Sequence, residues 1–312
     1  MFPRSRFGSR TGSSAVAVAD DTSVRFVRGR PSRDGRPAIL SYGDEPLDAR
    51  RTLAGALKSL GGSGSKDGAT VLLPGEYQVH VIEAPDVPED EVKLAAKWKL
   101  KDIIGFPAEE ASVDVIKIPG PEGVSARARS MLAVVARRAL LKERVARFDD
   151  ARFELSFVDV PEIAQRNLAS LYESERPGVA WLFIDDAGGL LTISYAGELY
   201  LARRIDTRYA DIESAGGVLR EDLFSRIVLD LQRTIDSFER QFSFVPITRL
   251  VVGPEPEDTG LVAYLAAHLT VRVEEASLEK FIDFPMAAPD RREQWRLFHL
   301  IGCALRNEAP VP

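Results

Sequence analysis

Two separate stretches of this chain are written to one plan. In Ala15-Val-Ala-Val-Ala-Asp20-Asp21-Thr22-Ser23-Val24-Arg25-Phe26-Val27 and in Ala180-Trp-Leu-Phe-Ile-Asp185-Asp186-Ala-Gly188-Gly189-Leu-Leu-Thr-Ile193, an apolar strand meets an Asp-Asp corner, then small residues, then a second apolar strand. A β-hairpin that recurs in this form predicts a duplicated fold of two lobes. Each hairpin is followed by a third strand-like run and an amphipathic helix, so the repeat extends to a whole β, β, β, α unit.

At 312 residues the chain has room for two cores. A hydrophobic share of 45% and a charged share of 28% are those of a globular protein. The formal charge of -6 argues against a nucleic-acid partner, which would call for a basic excess. Residues 1–14, with Arg4, Arg6 and Arg10 among Ser and Gly, read as a disordered basic tail. The single cysteine, Cys303, excludes a disulfide framework and reads as a core residue. His80, His268 and His299 are scattered, so no metal site is expected. No apolar run reaches the roughly 18 residues that span a bilayer, and nothing at the N-terminus reads as a signal peptide, so a cytoplasmic address is expected.

Along the chain, Ala38 to Tyr42 reads as a third strand and Asp48 to Leu60 as a helix ended by Gly61 and Gly62. The run Gly-Ser-Gly-Ser-Lys-Asp-Gly at 62–68 looks like a phosphate loop but lacks its Gly-Lys-Ser/Thr end and follows a helix, so a turn is expected. A change of texture at Pro85 opens an inserted subdomain read over 86–150. Its helix starts at Pro88 and carries Val92, Ala96, Leu100, Ile103 and Ile104 on one face. The expected organisation is therefore a first lobe at 15–85 and 151–176, the insertion at 86–150, and a second lobe at 177–312. The long helix of that second lobe carries Leu223, Ile227, Leu231, Ile235, Phe238 and Phe242 as its core stripe.

Several segments, in order, resemble the PilM family of type IV pilus assembly proteins, and in particular its MshI branch from mannose-sensitive haemagglutinin (MSHA) pilus biogenesis. They are Leu72-Leu-Pro-Gly-Glu-Tyr-Gln78, Ala84-Pro-Asp-Val-Pro-Glu-Asp-Glu91, Ala96-Lys-Trp-Lys-Leu-Lys-Asp102, Phe106-Pro107, Val134-Val-Ala-Arg-Arg138, Val158-Asp-Val-Pro-Glu162, Gly197 to Ile205 and Ala304-Leu-Arg306. The resemblance implies an actin-like ATPase fold, similar to that of the division protein FtsA, with a subdomain inserted in the first lobe.

In nucleotide-binding relatives each hairpin carries an Asp-x-Gly turn, in which glycine lets the backbone approach phosphate and the acid orients magnesium. In one register Val18 and Phe183 stand at the acidic positions and Asp20 and Asp185 at the glycines, which would retire the site. In another, Asp186-Ala187-Gly188 keeps the motif and Asp20 pairs with it, although Thr22 replaces the first glycine. A degenerate nucleotide site would therefore draw on Asp20, Asp21, Thr22, Ser23, Asp185, Asp186, Gly188, Gly189 and, on the adenosine side, Gly253. The plainer reading is a pair of β-turns whose aspartates cap the corners. No cofactor is expected, with ATP and magnesium as the alternative.

The function implied by the resemblance is that of a non-catalytic scaffold, peripheral to the inner membrane, which binds the cytoplasmic tail of a PilN-like (MshJ-like) bitopic protein. The alternatives are an active actin-like ATPase or sugar-kinase-like phosphotransferase, and a cytoplasmic domain like that of the type II secretion scaffold GspL. For the partner tail, Leu94, Trp98 and Phe106 are the candidates to line a groove between the first lobe and the insertion. The plainer reading packs them onto the subdomain's own strands.

Overall fold

At the centre of the first lobe, β1 (Ser14–Ala19) is a run of small and β-branched residues buried along its whole length, as a strand inside a covered sheet requires. The computed structural model describes residues 13–32, 35–120, 130–173, 178–284 and 287–306. β1 pairs antiparallel with β2 (Ser23–Arg30), and β2 with β3 (Ala38–Pro46). On its other side β1 runs parallel to β4 (Gly68–Val71), which runs parallel to β8 (Leu155–Asp159). The second lobe repeats this strand for strand. Its β9 (Val179–Asp185), β10 (Gly188–Tyr195), β11 (Glu198–Ile205), β12 (Arg249–Val252) and β13 (Arg272–Glu275) lie in the order β11-β10-β9-β12-β13, matching β3-β2-β1-β4-β8. Ser14, read as the end of the tail, already pairs with Gly29; residues 1–12, and 174–177 at the expected boundary between the lobes, lie outside the described residues.

The helices are exchanged between lobes. α4 (Pro161–Tyr172), which follows the last strand of the first sheet, packs on β9, β10 and β11, whereas α8 (Arg291–Ala304) packs on β1, β2 and β4. The two cross so closely that a Cβ on Gly302 would come within 2.1 Å of the Ala164 carbonyl oxygen. Pro161 suits the first turn of α4, and Asp290 with Glu293 forms a reciprocal cap at the start of α8. Phe183 stacks on Phe298 at 4.2 Å, which joins the second sheet to the helix that covers the first. Cys303 is fully buried in the same cluster.

Two elements depart from expectation. The helix read over Asp48 to Leu60 is α1 (Leu53–Ser59), because the Asp48 carboxylate accepts the amides of Arg50 and Arg51 in a turn and Thr52 is the cap. In α6 (Gly217–Gln241), Phe224, Ile227, Leu231 and Phe238 are buried, while Leu223 and Ile235 are only half-buried.

The insertion is a three-stranded antiparallel sheet, β5 (Tyr77–Glu83), β7 (Ser130–Arg137) and β6 (Ala111–Lys117), in the order β5-β7-β6. Its limits differ from 86–150 at both ends. β5 pairs with β7 along its whole length, from Tyr77 opposite Ala136 to Glu83 opposite Ser130, so it belongs to this sheet and not to the lobe. Conversely α3 (Arg138–Asp150) sends Phe148 into the core beneath the first hairpin, with Ala15, Ala17 and Phe26, and so belongs to the lobe. The chain enters the insertion at the Pro74-Gly75 turn and leaves at Arg137. One side of the sheet, with Ile82, Met131, Ala133 and Val135, is covered by α2 (Val92–Lys99). The other, with Tyr77, Leu132, Val134 and Ala136, joins the core shared with Ile163 and the second lobe.

Candidate functional site: the interlobe cleft and the two sides of the inserted sheet

The repeated corners face each other across a cleft of about 350 Å³ between the lobes, lined among others by Val18, Asp20, Arg25, Phe183, Asp185, Asp186, Arg204, Trp295 and His299. The two turns are equivalent. The amide of Asp20 donates to the Ser23 carbonyl, just as Asp185 stands opposite Gly188, so each turn has two residues at its tip. Val18 and Phe183 therefore occupy matching places, two residues before the corner aspartates, and both line the cleft.

The corner amides are already occupied. Asp20 Oδ1 accepts from the Thr22 amide at 2.7 Å, the Thr22 hydroxyl at 2.7 Å and the Ser23 amide at 2.9 Å. Partial burial works against its charge, but the Thr22 hydroxyl, the two amides and nearby Arg25 outweigh it and hold the Asp20 carboxyl below its ordinary value. Asp185 Oδ1 accepts from the Ala187 amide at 2.8 Å, and here burial dominates and pushes the carboxyl up. Asp21 and Thr22 are exposed at the tip of the first turn. Gly188 and Gly189 serve close packing against β11, since a Cβ on Gly189 would meet Ile205 Cβ at 2.8 Å.

Gly253 is not among the residues that line this cleft. Its amide donates to Leu182 O and its carbonyl accepts the Trp181 indole at 2.7 Å, which fastens the end of β12 to the sheet. It has φ +88° and precedes Pro254 through a cis bond.

Three guanidinium groups enter the cleft, a feature the sequence reading missed. Arg25, on β2, donates to the Arg296 carbonyl at 3.1 Å. Burial draws it below the usual arginine value, with Asp20 the largest influence holding its charge. Arg296 pairs with Asp44 at 2.5 Å and Arg204 with Glu162 at 3.0 Å. Each cation thus faces a carboxylate of the chain. His299 packs edge-on to Phe183, and burial, with Arg204 and Arg25 nearby, takes it to about 3, so its ring is neutral. Alternation over Val24, Arg25 and Phe26 puts Arg25 on the face opposite its neighbours, but which face meets the cleft depends on the second lobe.

Leu94 and Trp98 do not line a groove between lobe and insertion. They lie on the side of α2 opposite Val92 and Ala96, with 57% and 51% of their surface exposed, and α2 itself covers the side of the sheet turned away from the lobe core. The packing-inward reading fails for them too, because the turn of the helix that faces the strands is filled by Val92, Ala96 and Leu100. Phe106 is half-buried against that same cluster with the Arg137 guanidinium 4.2 Å over its ring. The lobe-facing side of the sheet instead carries Tyr77, Val79 and Val81 in alternation along β5, and exposure rises from 9% at Tyr77 to 64% at Val81. Ile116 and Val158 are partly buried against the same cluster as Tyr77. The apolar side chains open to solvent on the lobe-facing side of the sheet are thus Val79 and Val81, not Leu94, Trp98 or Phe106.

The architecture defines a class: two lobes of the same five-stranded order, with exchanged helices and facing hairpins, are the actin-like ATPase fold. Among solved structures the chain is similar to a PilM-PilN type IV pilus biogenesis complex, with 15% identity over 95% of this chain and 98% of that one and a TM-score of 0.66. It is also similar to the cytoplasmic domain of EpsL, an inner-membrane component of the type II secretion system of Vibrio cholerae (9% identity, 93% and 95% covered, TM-score 0.47), and to a Bacteroides thetaiotaomicron protein with an actin-like ATPase fold (10% identity, 92% and 96% covered, TM-score 0.46). No family model and no curated protein matches the sequence. No helix among the described residues is long and apolar enough to cross a membrane.

Proposed function

We propose that this chain is a non-catalytic scaffold of type IV pilus assembly, of the MSHA kind, held at the cytoplasmic face of an inner membrane by the cytoplasmic tail of a PilN-like, MshJ-like bitopic protein. The observation that carries this reading is the likeness in fold to the pilus complex over 95% of this chain and 98% of that one. The apolar strip beside Val79 and Val81 supports a peptide partner, since short peptides bind by seating a few apolar side chains in a groove.

The absence of ATP turnover is supported by the corners. Phosphate would need the amides that Asp20 and Asp185 already hold, and magnesium would need acids where Val18 and Phe183 stand. The residues present are thus a poor fit for Mg-ATP.

Calorimetry with Mg-ATP tests this half: no binding tighter than about millimolar, or ~4 kcal/mol, is expected. A micromolar isotherm abolished by Asp186→Ala would replace the scaffold with an ATPase. Fluorescence polarisation with the labelled N-terminal peptide of a PilN-like protein tests the other half. Binding near micromolar, about 8 kcal/mol, should weaken tenfold or more in Val81→Asp and stay unchanged in Trp98→Ala. Unchanged binding by Val81→Asp would remove the strip from the site.

A further inference from the structure

A buried polar junction lies where the inserted sheet, α4 and the second lobe meet. The Tyr77 phenol donates to Glu162 at 2.7 Å, and the Arg204 guanidinium donates both to the Tyr77 oxygen and, at 3.0 Å, to Glu162. Tyr77 opens β5 of the insertion, Glu162 stands in the first turn of α4, and Arg204 lies near the end of β11. Tyr77 is 9% and Glu162 3% exposed, in an apolar cluster with Leu132, Val134 and Ile163. A carboxylate in such a place is tolerated only while its partners remain, so the three groups hold one arrangement or none. Arg204 also lines the interlobe cleft.

We propose that Tyr77, Glu162 and Arg204 form a lock that seats the inserted sheet against the second lobe, with Arg204 as the end that faces the cleft. A change in the cleft that draws Arg204 aside would release Tyr77 and with it the edge of the sheet. The lock does not depend on which partner occupies the strip beside Val81. Nor does the fold depend on the lock alone, because the base of the insertion is fastened to the first lobe separately, where Arg144 of α3 pairs with Glu76.

Pulsed electron-electron spin resonance on the full chain tests this, with spin labels at Glu109→Cys on the insertion and Glu213→Cys on the second lobe, both exposed positions. The native Cys303 is buried and will not compete for label. One narrow distance distribution is expected in the otherwise wild-type chain. Tyr77→Phe and Arg204→Gln should each broaden it at least twofold, and the double variant should broaden it no further, because both changes break one device. Arg204 is partly exposed, so its variant is the one least prone to unfold. A wild-type width in folded Arg204→Gln overturns the lock whatever Tyr77→Phe does, and so does broadening in the double variant equal to the sum of the singles.

Discussion

Trp295 of the last helix donates its indole N–H to the Ile184 carbonyl at 2.8 Å, one residue before the second Asp-Asp corner. The bond ties the helix that covers the first sheet to the central strand of the second. Trp295→Phe keeps most of the ring but leaves that carbonyl without its donor. It should cost about 1–2 kcal/mol, read as a lower urea midpoint with an unchanged slope.

Glu255, just after Pro254, is pushed up to about 7, chiefly by burial, with the Thr259 hydroxyl at 2.7 Å pulling the other way. Its folded value lies above the unfolded one of 4.5. Between the two the folded chain holds the proton more tightly, so this group's contribution to stability falls as pH rises from 4.5 to 7. The loss amounts to as much as about 3 kcal/mol. Thermal melts of Glu255→Gln, which preserves the acceptor for Thr259, should flatten that slope and exceed wild type at pH 8; a slope equal to wild type would show that Glu255 does not set it.

Two glycines should answer alanine in opposite directions. Gly302→Ala drives a methyl against the Ala164 backbone, which cannot yield as a side chain would, and should cost roughly 2–3 kcal/mol. Gly55 lies inside α1, and a Cβ there meets nothing nearer than 3.5 Å, so Gly55→Ala should stabilise by about 0.5–1 kcal/mol. Chemical denaturation of both decides the matter.

The outer face of α2 should tolerate change where its inner face does not. Trp98→Ala is expected to shift stability by less than about 1 kcal/mol, because half the ring is already in solvent. Leu100→Ala, at a fully buried position, should cost about 2–5 kcal/mol. A cost for Trp98→Ala as large as that for Leu100→Ala would mean that the ring packs inward in solution.

Much of this was legible in the chain. The twin hairpins were visible because an apolar strand and a corner are local signals, and the elements that follow them showed through periodicity and breakers such as Gly61 and Gly62. The insertion was visible but misplaced. Tyr77 to Glu83 reads equally well as a strand of either sheet, and only its pairing with β7 decides between them. Leu94 and Trp98 face away from the lobe for a related reason: their i, i+4 spacing marks a common face without saying what lies opposite it.

The sequence by itself determined the twin hairpins and their corner aspartates, since each rests on neighbours a few residues apart. Only the tertiary structure decided that α4 and α8 change lobes, that Arg25, Arg204 and Arg296 meet the corner aspartates in one cleft, and that Tyr77 reaches Glu162. These contacts join residues distant along the chain. Their geometry is set by how the lobes and the inserted sheet pack on one another, which no local periodicity encodes.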